Sequence, residues 1–308
     1  ALVFNLDDLA EATAELWEAN PGLRRCVVKL NEGFSGEGNA CFELEPLQLE
    51  GLSAGERRRV IRSALEQLPM PPASWRELVV QQGALVEAWL EGGEALSSPS
   101  VQGTIHPGGG VDVLSTHEQI LGGPSGQTYL GCCFPADDAY RVALMRHGQA
   151  VGEALAMEGC LERYAVDFIA RRINGVWDVQ AIEVNLRQGG TTHPYMALRA
   201  ITTGQLDPAT GLFLAPTGQP LHYRATDNLI DPQLRGLLPV DLIDIVADAS
   251  LHYDPARLRG SVFHLLGCLS EFGKLGMTCV ATSPAEADQV YGATKAALLA
   301  AARGLSSR

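Results

Sequence analysis

Apolar and polar positions alternate with two distinct periods along this chain, and the period of each segment predicts its element. Over 7–19, Leu9, Leu16 and Trp17 recur at helical spacing among acids, and Asn20-Pro21-Gly22 closes the run, which predicts a helix. Cys26-Val27-Val28-Lys29-Leu30 is rich in β-branched residues and predicts a strand; a glycine-bearing loop over 31–39 then leads to extended residues over 40–44. A basic amphipathic helix is predicted over 54–68, a proline linker at Pro69, Pro71 and Pro72, and a strand over 78–82. Extended runs follow over 84–90 and 100–114, the second broken by a turn at Pro107-Gly108-Gly109-Gly110. The pattern then gives a helix over 138–157 and a hairpin, with strands over 164–170 and 177–186 around Asn174-Gly175. Beyond Gly204 the signal weakens to turns at Asp207-Pro208 and Pro216-Thr217-Gly218 and helices over 240–251 and 284–302. There is no internal repeat, and this irregular mixture predicts an α+β fold rather than an alternating α/β wheel.

Length and charge narrow the picture. At 308 residues the chain is long enough for two or three lobes with apolar interiors, and 46% hydrophobic against 19% charged residues is an ordinary globular balance. The net charge of −13 argues against docking on nucleic acid, so any anionic ligand must be held locally by a few cations, backbone amides and metal ions. No apolar run approaches the ~20 residues of a membrane span, and no signal segment opens the chain, which begins at Ala1. Seven cysteines without a C-x-x-C pair read as reduced core residues, and the expected compartment is cytoplasmic. Oligomeric state stays open, a homo-oligomer included.

Four segments carry candidate chemistry. Lys29 leads into Gly33-Phe34-Ser35-Gly36-Glu37-Gly38-Asn39, where glycine-freed amides can turn towards phosphate oxygens; the spacing is neither a Walker loop nor a dinucleotide fingerprint. In Ile182-Glu183-Val184-Asn185-Leu186-Arg187, side chains two apart on a strand share a face, which would align Glu183, Asn185 and Arg187 and turn Val184 and Leu186 to an apolar side. Two oxygen donors and a cation on one face fit magnesium-bridged phosphate chemistry. Asp167, between Val166 and Phe168, should lie beside Glu183 across the hairpin, and two such carboxylates call for a shared divalent ion. Finally, Val86-Glu87-Ala88-Trp89-Leu90-Glu91-Gly92-Gly93-Glu94 offers backbone groups for an adenine edge and acids for ribose hydroxyls. Each has a bland counterpart: a glycine hairpin with a solvated lysine, a wet strand face, an edge carboxylate, an acidic strand end.

In this order the four segments resemble the ATP-grasp superfamily: a lysine before a flexible glycine loop, an E-x-W-L hinge with a later Glu, then Asp, then E-x-N-x-R. The resemblance implies two lobes with antiparallel sheets clamping ATP: 1–84 as the N-lobe, 85–204 as the C-lobe with hinge and metal site, and 205–308 as a family-specific C-terminal domain. It places Lys29 and 33–39 on the phosphates, Glu87 and the backbone of Ala88, Trp89 and Leu90 on adenine, and Glu94 on ribose. Asp167, Glu183 and Asn185 would carry Mg2+, and Arg187 and Lys29 would act in catalysis. Gly189, Gly190, Thr191 and His193 would join Arg187 in binding substrate.

Within the superfamily, Lys29-Leu30-Asn31-Glu32-Gly33, the run from Asn185 through Gln188-Gly189-Gly190-Thr191-Thr192-His193-Pro194, and Phe263-His264-Leu265-Leu266-Gly267 with Gly273-Lys274-Leu275-Gly276 are similar to the pheganomycin-type peptide ligases. That implies an ATP- and Mg2+-dependent ligase joining a small-molecule or peptide carboxylate to an amine through an acyl-phosphate. Family members also carry an upstream α/β domain and an earlier nucleotide-binding lysine, neither found in these residues and both expected on a longer protein. A noncatalytic nucleotide-binding module and a carboxylate kinase are the alternatives. His193 and His264 read as substrate-wall or core histidines rather than phosphohistidines.

Overall fold

The computed structural model describes residues 1–20, 22–34, 37–69, 74–90, 93–123, 126 and 128–306. The chain divides into two compact units, residues 1–91 with 122–129, and residues 92–121 with 130–308.

In the first unit, helix α1 (Leu6–Ala19) starts where the Asn5 side chain accepts the Asp8 N–H at 2.8 Å, with Asp7 and Asp8 in the positively polarised first turn. Strands β1 (Arg25–Phe34) and β2 (Glu37–Glu43) form a hairpin, and helix α2 (Ala54–Glu66) opens with a capping box between Ser53 and Glu56. Helix α3 (Trp75–Gln82) and strand β3 (Ala84–Ala88) complete the unit, whose antiparallel sheet has the order β2-β1-β3. Basic α2 lies on acidic α1 through Arg57–Glu18, Arg58–Glu11 and Arg62–Asp7, while Leu9, Ile61, Leu65, Trp75 and Val79 pack with Val28 and Phe42 in the core.

Two expectations change here. Residues 78–82 are helical instead of extended: Trp75 and Val79, four apart, are both buried, and Gly83 at φ 86° ends the helix by donating its N–H to Val79 O. The loop expected over 31–39 is mostly strand, with Lys29 opposite Asn39 and Phe34 opposite Glu37 across a register shift. Ser35 and Gly36 of that loop lie outside the described residues, as do Glu91 and Gly92 of the hinge.

The second unit contains strands β4 (Ala95–Ser97), β5 (Pro99–Ile105), β6 (Val111–Gly122) and β7 (Thr128–Phe134), helix α4 (Arg141–Met157), strands β8 (Glu162–Ile173) and β9 (Val176–Asn185), and helix α5 (Thr192–Ile201). It continues with β10 (Gln205–Leu206), β11 (Phe213–Leu214), β12 (Pro220–Ile230), α6 (Pro239–Asp248), β13 (Gly260–His264), α7 (Leu269–Phe272), β14 (Lys274–Ala281) and α8 (Pro284–Ser306). Among the described residues these eleven strands form one sheet, with the path β10-β11-β12-β7-β6-β5-β8-β4, β9 on β8, and β14 joining β12 to β13. The Asn174-Gly175 turn has positive φ at both positions, as a two-residue hairpin requires.

The sheet has two covered faces. On one, Val101, Val166 and Phe168 pack under α4, and Leu275, Met277 and Cys279 pack under α6 and α8. On the other, Phe134 meets Tyr195 of α5 at 5.8 Å. Residues 205–308 do not separate as a compact unit of their own, because Tyr223, Arg224 and Ala225 of β12 pair directly with β7 and carry the C-terminal strands into the same sheet. No helix among the described residues is long and apolar enough to cross a membrane.

Candidate active site

Antiparallel registry assembles polar side chains on the α5 face of the large sheet. Glu183 of β9 is opposite Asp167 of β8, Asp167 opposite Ser100 of β5, and Ser100 opposite His117 of β6. Two residues along, and therefore on the same face, the next cross-strand row is Asn185, Ala165, Gln102 and Ser115. The intervening residues Val101 and Val166 turn to the α4 core.

Asp167 is the centre of this array. Its Oδ1 accepts from Gln119 Nε2 at 2.9 Å and its Oδ2 from Asn185 Nδ2 at 3.2 Å. A carboxylate can only accept, so both amides must present nitrogen to it, and the Asn185 carbonyl oxygen sits on the other branch of that side chain. Two opposed carboxylates and an amide oxygen are hard donors, the set Mg2+ takes when most of its shell comes from substrate phosphates and water. Among the described residues no group of three or more His, Cys, Asp or Glu could hold a metal by itself. The residues thus fit a magnesium ion shared with a phosphate ligand better than a closed protein cage.

A β-bulge sets this arrangement. From Ile173–Val176 to Phe168–Ala181 the hairpin pairs regularly, which turns Trp177 and Val179 towards the α4 core; the register then shifts so that Asp167 faces Glu183 and Ile182 is the extra residue. The bulge reverses the parity of β9 and brings Glu183 and Asn185 round to the face of Asp167. The expected alternation ends sooner than the sequence implies. Strand β9 stops at Asn185, and Leu186 and Arg187 lie in a bend, where Arg187 Nη1 donates to Gln188 O at 3.3 Å. Val184 and Leu186 are 46% and 57% exposed instead of buried, because β9 is the outer strand beyond β8 and Leu186 has left the sheet.

After the bend, Gly189 and Gly190 lead to Thr191, the residue before α5, and Gln102 pins that turn. Its Nε2 donates to Thr191 O at 3.2 Å and to Ser115 Oγ at 2.7 Å, and its Oε1 accepts from Thr192 Oγ1 at 3.1 Å. His193 follows in the first turn of α5, exposed, with its ring stacked on that of His264 from β13 at 3.9 Å and 27°. Glu94 accepts the Gly175 N–H at 3.2 Å and pairs with Arg172 at 3.3 Å, so its carboxylate is engaged at the β8–β9 turn.

In the first unit, Lys29 lies opposite Leu85 and diagonal to Glu87, and its Nζ meets the Glu87 carboxylate at 2.6 Å with the lysine 15% exposed. Ala88 ends β3, Trp89 donates its N–H to Arg25 O at 3.2 Å beneath the Arg25 guanidinium, and Leu90 follows. Gly38 and Asn39 fall within β2, and Gly38 takes φ 86° against Leu30.

The N5-carboxyaminoimidazole ribonucleotide synthetase of Thermus thermophilus superposes with a TM-score of 0.55 at 15% identity, over 95% of this chain and 65% of that one. The biotin carboxylase domain of the Hydrogenobacter thermophilus 2-oxoglutarate carboxylase, solved with MgADP, ADP and bicarbonate, gives a TM-score of 0.55 at 12% identity, over 88% and 55%. The chain has the ATP-grasp fold. The L-propargylglycine–L-glutamate ligase of Streptantibioticus cattleyicolor is 30% identical over 294 residues, covering 94% of this chain and 57% of that enzyme. Residues 241–294 match the PGM1 C-terminal domain family, in keeping with the resemblance to pheganomycin-type ligases. The chain thus spans little more than half of this curated relative and less than two thirds of these solved chains.

The polar face around Asp167 holds residues that motif spacing did not single out. Gln119 and Gln102 reach it from strands far from the hairpin in sequence, and their signal was only a glutamine within an alternating run. His117 is fully buried, with Nε2 2.6 Å from Tyr223 Oη, and burial pushes its pKa down to about 3.

Proposed function

We propose that this chain is the nucleotide-binding and catalytic part of an ATP- and Mg2+-dependent ligase that joins a carboxylate to an amine, with an amino acid or short peptide on at least one side. The observation that carries the reading is the Asp167–Glu183 opposition with Asn185 bonded to Asp167, a hard-donor face that leaves most of a magnesium shell to phosphate. The relative named for ligating two amino acids supports the reaction class.

From the second unit, Asp167, Glu183 and Asn185 would hold Mg2+, which when bound neutralises charge on the phosphate oxygens. From the first unit, Lys29 and the backbone of 33–39 would hold the phosphates, and Glu87 with the backbone of Ala88, Trp89 and Leu90 would hold adenine. Glu94 would meet ribose only after yielding its contacts with Arg172 and Gly175. The substrate carboxylate attacks the terminal phosphorus, and the acyl-phosphate formed is then open to the amine. Arg187 and the amides of Gly189 and Gly190 offset the negative charge that develops on the carbonyl oxygen. The same reading places the protein in the cytoplasm, where both ATP and Mg2+ are available.

The test is ADP release by the purified protein with ATP, Mg2+ and paired amino acids, beginning with L-glutamate and L-propargylglycine. A ligase requires both partners; release that needs only the carboxylate identifies a kinase, and nucleotide binding without release identifies a noncatalytic module. Glu183→Gln should abolish release with the fold intact, and full turnover in that variant rejects the metal assignment.

A further inference from the structure

Amide formation by amino acids raises a problem that the phosphate and metal residues do not solve. The α-amino group of a peptide has a pKa of about 7.7–8.0 and that of a free amino acid is higher, so near neutral pH it is mostly ammonium and must lose a proton before its nitrogen can attack. Asp167 and Glu183 are committed to a cation and Arg187 has no basic lone pair, so the base must come from elsewhere.

Apart from His117, which is fully buried against Tyr223, the same sheet face carries a stacked pair of nitrogen bases among the described residues. His193 follows Thr192, whose hydroxyl is bonded to Gln102, and Gln102 lies two strands from Asn185 in the same cross-strand row, a separation of ~10 Å at the usual strand spacing. The first turn of α5 is thereby tied to the sheet face that carries Asp167 and Asn185, and His193 is its exposed imidazole. The His264 ring lies against it at 3.9 Å, nearly parallel, a stacking that turns ring faces rather than nitrogens together and so does not chelate a metal.

Two features hold His264 in this role. His264 sits opposite Gly276 of β14, where a Cβ would run into the imidazole, so only glycine lets the ring lie flat on the strand. Its Nδ1 is buried without a hydrogen-bond partner among the described residues, and burial together with the neighbouring imidazole pushes its pKa down to about 4. A charge on one ring opposes a charge on the other at this separation, which keeps the buried His264 neutral.

We propose that His193 is the general base that takes the proton from the acceptor amine, and that His264, seated on Gly276, is a positioning residue that fixes the His193 ring and stays neutral beneath it. This rests on the ligase reading. In the step, a His193 ring nitrogen takes one proton from the ammonium group, the freed amine nitrogen forms a bond to the acyl carbon, the carbon–oxygen bond to phosphate breaks with its electron pair going to inorganic phosphate, and the second proton on nitrogen leaves with that phosphate.

Hydroxylamine separates this role from a structural one, because its nitrogen is already neutral at pH 7 and needs no base. Hydroxamate formation with hydroxylamine and amide formation with amino-acid acceptors are measured across a panel of amino-acid carboxylates for wild type, His193→Asn, His264→Gln and Gly276→Ala. In His193→Asn the amide rate should fall at least ~100-fold further than the hydroxamate rate, the lower end of what general-base catalysis supplies. His264→Gln and Gly276→Ala should show the same split to a smaller degree, and added imidazole should restore amide formation in His193→Gly. Equal losses with both nucleophiles, or an unchanged amide rate in His193→Asn, would overturn the proposal. Absence of ATP-dependent hydroxamate in wild type across the whole panel would instead sink the ligase reading itself.

Discussion

Gln119 offers the sharpest test of the metal face, since it touches the proposed site only through Asp167. Its Nε2 donates to Asp167 Oδ1 at 2.9 Å while Asn185 serves the other oxygen, so the two amides together fix the plane of the carboxylate. Gln119→Met keeps the length of the side chain and removes that one bond. A hydrogen bond to a charged acceptor contributes about 1.5–3 kcal/mol, which corresponds to roughly 10–150-fold if it is expressed wholly in the geometry needed to bind the cation. Residues that orient a metal ligand typically change affinity or activity by ~10–100-fold, so the two estimates overlap. The assay is phosphate release as a function of Mg2+ at fixed ATP, with thermal unfolding followed in parallel. The midpoint should move to about 10–100-fold higher Mg2+ while the fold is retained. A midpoint within about twofold of wild type would show that Asp167 needs no such orientation, and the argument from the array would fail.

Deleting Ile182 should remove the bulge yet leave Glu183 and Asn185 on the face of Asp167, because Glu183 then follows Ala181 in regular alternation; phosphate release should persist, and its loss while far-ultraviolet circular dichroism still reports the sheet would refute the parity argument. Lys29→Met leaves a half-exposed Glu87 without its partner, so stability should change by less than about 1 kcal/mol, whereas nucleotide affinity by titration calorimetry should drop at least tenfold. For His117, burial lowers the folded-state pKa to about 3, below the unfolded value of about 6.5, so the unfolded chain binds the extra proton and stability is lost as pH falls from about 6.5 towards 3. Denaturant unfolding at pH 6, 5 and 4 should show wild type losing about 1.4 kcal/mol per pH unit more than His117→Phe, and parallel curves would contradict the assignment.

The hairpin shows how far local sequence reaches and where it stops. Asn174-Gly175 fixes a two-residue turn, and the alternation of Val166, Asp167 and Phe168 separates the carboxylate from the core, so a pairing of Asp167 with Glu183 was legible. Counting outward from that turn, however, pairs Asp167 with Ile182, because Ile173 faces Val176. The bulge that corrects the count has no glycine or proline to announce it. It follows from burial, since Trp177 and Val179 must face α4 while Glu183 must not. The same distinction explains α3, where a short run with both periods was decided by whether Trp75 and Val79 could reach the core together. Long-range pairing is the remaining gap. Nothing within residues 205–308 states that Tyr223, Arg224 and Ala225 will pair with β7, yet that pairing fuses the C-terminal strands to the active-site sheet and places Tyr223 against His117. It also brings β13 into the sheet that carries α5, so the approach of His264 to His193 is a consequence of topology. A motif can therefore name the proposed metal ligands from one hairpin, while the residues proposed to orient them and to act as base come from elements that only the folded sheet makes neighbours.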